Sequence, residues 1–145
     1  MTLNRIRSDL TGSVKNGKNI QDIQAQGVHK KRVISRKAIM TQNKNIIEQI
    51  RTLGKKVLPE GSHLLLYGSR ARGDNRPDSD WDLLVLVDQD RQQLQDFEQY
   101  AYPFVEMGWN EGIEINPMLY TRTEWAKRHF TPFYHNVEND KIVLV

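Results

Sequence analysis

The chain has 145 residues, a net charge of +3 and no cysteine. Without cysteine it forms neither a disulfide nor a thiolate metal site, and no apolar run reaches the roughly 18 residues of a membrane-spanning helix. Because the N-terminus also lacks the apolar core of a secretory signal, we expect a cytoplasmic protein that does not associate with membranes.

Positive charge is concentrated in residues Met1–Ile39, where nine basic residues stand against two acidic ones. This segment has few large apolar side chains, so it cannot bury enough surface to offset the entropy lost on ordering. We therefore predict a disordered basic segment, 1–39, and a folded domain, 40–145. Nucleic-acid binding by the basic segment is a weaker alternative. A further alternative is that Met40 is the true start and that the segment is not part of the native protein.

Helical and extended patterns alternate along the folded domain. A first helix, capped by Thr41 or Asn43, is predicted from apolar residues spaced three and four apart before Pro59. After it we predict strands over 63–67, 80–87 and 113–120, a last short strand over 142–145, and helices at 69–72, over 90–104 and after a cap at Thr123. Pro117 indicates an edge position or a bulge for the third strand. The pattern predicts an α/β (α+β) protein with a small mixed β-sheet flanked by helices.

Two aspartates, Asp80 and Asp82, open the second predicted strand. Residues two apart in a strand point to the same face, so both carboxylates project together while Trp81 points away. Carboxylates that meet in this way favour a cation between them, and Mg²⁺ is usually held by one or two carboxylates together with substrate phosphates. We predict a magnesium site, with two ions about 3.5–4 Å apart. Glu114 is the candidate for a third carboxylate, and Glu111 is its rival.

A glycine and a serine, Gly68 and Ser69, link the first predicted strand to the short helix. Glycine allows a sharp turn and a close approach of the backbone to a ligand. The start of a helix favours anions, and Arg70 and Arg72 add positive charge suited to bidentate contact with phosphate. We predict that these four residues bind the phosphates of a nucleotide, with at least one of the two arginines reaching them.

The stretch GSRARGDNRPDSDWD, from Gly68 to Asp82, resembles the signature of the DNA polymerase beta-like nucleotidyltransferase superfamily. Its GSRARG form is most similar to the minimal members, and the resemblance covers residues 40–145. The resemblance implies the nucleotidyltransferase fold, Mg²⁺ at Asp80 and Asp82, and transfer of a nucleoside monophosphate from an NTP with release of pyrophosphate. It also implies that Glu114 is a metal ligand or a base, although the family more often has aspartate at that position.

The acceptor of the transferred group is not fixed by these motifs. Some minimal members are antitoxins that adenylylate a HEPN-type ribonuclease toxin, so the leading expectation is transfer of AMP from ATP to a partner protein. The alternatives are transfer to a small-molecule hydroxyl, as in aminoglycosides, and a non-catalytic module that binds nucleotide or neutralises a toxin. Asp80 and Asp82 favour activity, because a binding-only module need not keep both.

Overall fold

The computed structural model describes residues 35–145, within which Met40–Val145 forms a compact unit. Most of the predicted basic segment, residues 1–34, lies outside the described residues. The first helix, α1 (Arg36–Val57), begins before both predicted caps, so the choice of Thr41 or Asn43 was wrong. Residues 36–40 are Arg, Lys, Ala, Ile and Met, most of which are strong helix formers, so the helix extends toward the N-terminus without those caps.

The described residues form four strands in one mixed sheet, which confirms the predicted fold class. In the sheet order β3-β2-β1-β4, β2 pairs in parallel with β3, while β1 is antiparallel to both β2 and β4. After α1 the elements are β1 (His63–Tyr67), α2 (Ser69–Arg72), β2 (Trp81–Val87), a π-helical turn (Phe97–Ala101), α3 (Tyr102–Glu111), β3 (Ile115–Thr121), α4 (Arg122–Lys127), α5 (Pro132–Asp140) and β4 (Ile142–Val143).

The helix predicted over 90–104 lies later in the chain, over the π-helical turn and α3. Buried Asp96 accepts hydrogen bonds from the backbone N–H of Gln93 and from the side chain of Gln89, and this holds the preceding residues in a turn. Leu94, which falls within the helix predicted over 90–104, is fully exposed in that turn. The spacing of apolar residues therefore did not predict the helix boundaries here, because a buried carboxylate organises the local backbone.

Two boundaries near the third strand also differ from the prediction. The strand starts at Ile115, so Glu114 precedes it, and α4 is capped by the Thr121 hydroxyl, which accepts the N–H of Glu124, rather than by Thr123. The predicted edge position of Pro117 is confirmed, because β3 ends the strand order.

Helices cover both faces of the sheet and bury β2 on each side, as its apolar run predicts. Helices α1 and α3 contribute Ile50 and Phe104 to the core on one face, and α4 and α5 contribute Trp125 and Val137 to the core on the other. The polar residues at the start of β2 lie where this buried run begins. Within residues 35–145, no helix is both long enough and apolar enough to cross a membrane.

Candidate active site

Three neighbouring strands bring the predicted site residues to one end of the sheet. Asp82 of β2 is in register with Tyr67, the last residue of β1, and with Asn116 near the start of β3. The chain leaves β1 directly into Gly68 and Ser69. The antiparallel β1–β2 pair therefore brings the Gly68–Ser69 turn next to the carboxylate pair, Asp80 and Asp82.

Gly68 and Asp82 approach each other so closely that a side chain at position 68 would force the Asp82 carboxylate to move. A Cβ atom at Gly68 would lie 2.5 Å from Asp82 Oδ2. The backbone of Gly68 has φ 73° and ψ −157°, a region that is essentially restricted to glycine. The turn then enters α2, where the N–H groups of Ala71 and Arg72 donate to the Gly68 carbonyl. The glycine predicted from the sequence thus has both a conformational and a steric reason to be there.

Asp82 lies in an environment with an excess of negative charge. Burial raises the pKa of its carboxyl group, and the charges of Asp80 and, to a smaller extent, Glu114 raise the pKa further. Arg72 acts in the opposite direction and lowers this pKa. A divalent cation between the carboxylates would relieve the repulsion that the fold imposes on Asp82. The hard oxygen donors of the carboxylate pair suit Mg²⁺ in this position.

Two polar residues, Glu114 just before β3 and Asn116 within it, interact with the start of β2. The backbone N–H of Trp81 donates to the backbone carbonyl of Glu114 at 2.9 Å. Asn116 was missed from the sequence, and its side-chain Nδ2 donates to Asp80 Oδ2 at 3.1 Å. Among residues 35–145, no three His, Cys, Asp or Glu side chains converge in a geometry ready to hold a metal. The assignment of Glu114 as a third ligand therefore stays a prediction.

Glu111, the rival of Glu114, lies elsewhere on the domain. It is the last residue of α3 and lines a groove between α3 and α1, together with Glu48, Lys56 and Glu106. That groove belongs to the sheet face covered by α1 and α3. Of the two glutamates, Glu114 is the one whose charge acts on Asp82.

Arg70 holds the loop between α2 and β2. Its Nε and one terminal nitrogen donate to the Ser79 carbonyl at 2.9 and 2.7 Å, and further hydrogen bonds reach Pro77 and Asn43. The guanidinium also stacks over the Trp81 ring, 4.2 Å from its centroid. This network gives Arg70 a structural role that the sequence did not reveal, and its predicted contact with phosphate stays a prediction.

Arg72 is the more accessible of the two arginines. It forms ion pairs with Asp74, at 3.2 Å, and with Asp140 of α5, at 2.8 Å, while 45% of its side chain remains exposed. Its charge acts on Asp82, while the charge of Arg70 acts on Asp80. Arg72 therefore differs from Arg70 in its greater exposure, and its predicted contact with phosphate stays a prediction.

Tyr67 lines the same end of the sheet without adding charge to it. Burial, with smaller contributions from Asp82 and Tyr120, raises the pKa of Tyr67 to about 12. The phenol therefore stays protonated at neutral pH. Tyr67 is therefore neutral at neutral pH, and the negative charge beside it comes from the carboxylates of Asp80 and Asp82.

Comparison with known proteins identifies the family. A family model described as a nucleotidyltransferase domain matches residues 44–143. No curated protein matches the chain. A solved structure described as "Crystal structure of the toxin-antitoxin with AMP-PNP" is similar with a TM-score of 0.48 and 15% sequence identity, over 68% of this chain and 72% of that one. Because the family match spans most of the chain, including the Gly68–Ser69 turn and the carboxylate pair, this chain belongs to the nucleotidyltransferase domain family.

Proposed function

We propose that this chain transfers AMP from ATP to a hydroxyl group of a partner protein in a Mg²⁺-dependent reaction. Family membership supports nucleotidyl transfer in general. The observation that supports the proposal for this chain is the close approach of Gly68 and Asp82, which makes the turn a neighbour of the carboxylate pair.

Each end of the triphosphate would have its own protein contacts. The Gly68–Ser69 turn and Arg72 would bind the β- and γ-phosphates, since a helix start and a guanidinium both favour anions. Asp80 and Asp82 would hold Mg²⁺ beside the α-phosphate. When bound, the metal would neutralise charge on the triphosphate and align the acceptor with the α-phosphorus.

The transfer exchanges one phosphorus–oxygen bond for another. The acceptor oxygen forms a bond to the α-phosphorus, the bond from that phosphorus to the bridging oxygen breaks, and pyrophosphate leaves with the bonding electrons. The acceptor proton passes to a base, for which Glu114 is the candidate. Positioning and charge stabilisation account for most of the catalysis in phosphoryl transfer, so a site with few reactive side chains is adequate.

The resemblance of the GSRARG form to antitoxin-type members supports a protein as acceptor. We infer that the partner is a HEPN-type ribonuclease, the class on which such members act. This inference concerns the acceptor only, and the nucleotidyl-transfer step does not depend on it.

Labelled ATP tests the reaction type directly. The full chain is incubated with Mg²⁺, a purified HEPN-type protein and ATP labelled at either the α- or the γ-phosphate. Nucleotidyl transfer predicts that only the α-label becomes attached to protein, with release of pyrophosphate. Attachment of the γ-label would identify phosphoryl transfer and contradict the proposal.

Matched reactions separate the alternatives. Asp82→Asn should abolish α-label transfer, because it removes one of the two carboxylate ligands. An aminoglycoside in place of the protein tests the small-molecule acceptor. Tight ATP binding without transfer to either acceptor class would favour the non-catalytic module.

A further inference from the structure

We propose that Asn116 is a positioning residue for the metal site and acts by fixing the Asp80 carboxylate. The inference rests on the proposed function, because it assumes that the carboxylate pair binds a divalent cation. It assigns a role to a residue that neither the sequence motif nor the family description singles out.

Strand register places Asn116 beside the carboxylate pair. Asn116 lies opposite Asp82 in the parallel β2–β3 ladder, and its side-chain amide donates to Asp80 Oδ2 at 3.1 Å. The Asn116 side chain therefore contacts Asp80, which lies two residues before Asp82 in the sequence. The Asn116 side chain thus links β3 to Asp80, while its backbone lies in register with Asp82.

The residue that follows Asn116 constrains its backbone. Proline restricts the preceding residue to extended conformations, and Pro117 continues the edge strand β3. The Asn116 side chain thus starts from a backbone that is already fixed before any ligand binds. Such preorganisation is what a residue needs in order to orient a neighbouring carboxylate.

An amide suits this position better than a carboxylate in one respect. Asp80 and Asp82 already bring two carboxylates to the start of β2. A neutral donor adds no further repulsion, and it occupies one oxygen of Asp80 while leaving the other for a cation. Carboxylates that bind metals are commonly held by such outer hydrogen bonds, whose loss typically costs about 10–100-fold in metal affinity.

Binding of Mn²⁺ to the full chain, measured by the loss of its free EPR signal, tests the role without any acceptor or nucleotide. Asn116→Leu keeps the approximate size but removes the donor, so the Mn²⁺ dissociation constant should rise about 10–100-fold. Asn116 is exposed, so the variant should fold, and circular dichroism with thermal melting checks this. Asn116→Ala removes the same donor and should give the same loss.

The matched control is Met118→Leu, two residues further along the same strand, which should leave Mn²⁺ affinity unchanged. Asn116 variants that bind Mn²⁺ within twofold of the wild type would overturn the inference. Asp82→Asn tests the underlying metal site separately. If Asp82→Asn also binds Mn²⁺ normally, the proposed function fails. If it loses binding while the Asn116 variants do not, only the role of Asn116 is wrong.

Discussion

Gly68 and Asp82 lie so close together across the β1–β2 pair that a methyl group at position 68 would force the Asp82 carboxylate to move. The turn that leaves β1 and the carboxylate on β2 are therefore not independent features. A change at one of these residues alters the geometry of the other. This coupling makes position 68 a sensitive test of the site.

Gly68→Ala should destabilise the protein and abolish transfer. The alanine would have to adopt a glycine-only backbone conformation, which costs about 1–3 kcal/mol, and its Cβ would also displace the Asp82 carboxylate. Thermal melting and the α-label assay measure the two effects. Gly73→Ala is the control, because Gly73 also has a positive φ, of 83°, but has open space where a Cβ atom would lie. It should lose some stability and keep most of its activity, and equal behaviour of the two variants would contradict this account.

Asp82→Asn should raise the melting temperature of the metal-free protein at pH 7–8. The folded-state pKa of Asp82 is raised by burial and by the charge of Asp80, so ionisation costs more in the folded state than in the unfolded one. The stability associated with the protonated carboxyl is complete below its unfolded pKa and is lost as pH rises through the raised folded pKa. The advantage of the variant should therefore shrink as pH falls toward about 4. Melting curves in EDTA across this pH range measure the difference in melting temperature between the variant and the wild type. A variant less stable than the wild type at pH 7 would contradict the expected direction of the effect.

Mg²⁺ should give the wild type a higher melting temperature than Asp82→Asn. A cation that binds only the folded state stabilises it in proportion to the logarithm of its concentration above the dissociation constant. The wild type should therefore melt at a higher temperature with each increase in Mg²⁺, while Asp82→Asn should respond little. The same titration with Na⁺ at equal ionic strength separates specific binding from screening. Parallel shifts in both proteins would argue against a site at the carboxylate pair.

Local sequence patterns predicted the features that depend on neighbouring residues. The short strand before Gly68, the apolar run after Asp82 and the edge position of Pro117 all follow from chain segments of fewer than about ten residues. The same patterns misplaced the helix now seen from Phe97 to Glu111. There, the buried carboxylate of Asp96 and its hydrogen bonds outweighed the apolar spacing.

Contacts between residues far apart in the sequence could not be predicted from local sequence patterns. Asn116 and Asp80 are 36 positions apart, and their hydrogen bond depends on the parallel register of β2 and β3. Arg72 meets Asp140 across 68 positions, through the packing of the last helix. From the sequence, Arg70 and Arg72 were equivalent candidates for contact with phosphate. Only the tertiary structure shows that Arg70 holds the loop and that Arg72 remains accessible.

Arg70→Lys should lower stability more than it lowers ATP affinity. Lysine lacks the planar fork that reaches the Ser79 carbonyl through two nitrogens and stacks over Trp81. Loss of these contacts should cost roughly 1–3 kcal/mol. Chemical denaturation measures the loss, and titration with ATP in saturating Mg²⁺ measures binding. A variant of normal stability whose ATP affinity collapses would instead identify Arg70 as a phosphate ligand.

Arg72→Ala should show the opposite behaviour, with weaker ATP binding and little change in melting temperature. Arg72 and Asp74 are both exposed, and although Asp140 is only 19% exposed, the Arg72 side chain that meets it is 45% exposed. Ion pairs open to solvent in this way contribute little to stability. A guanidinium that meets the triphosphate contributes a charge-assisted hydrogen bond, so its loss should raise the ATP dissociation constant about tenfold. Arg76→Ala removes the same charge from the neighbouring exposed loop and controls for long-range attraction. If both variants weaken ATP binding equally, the effect of Arg72 is one of net charge and not of contact with the phosphates.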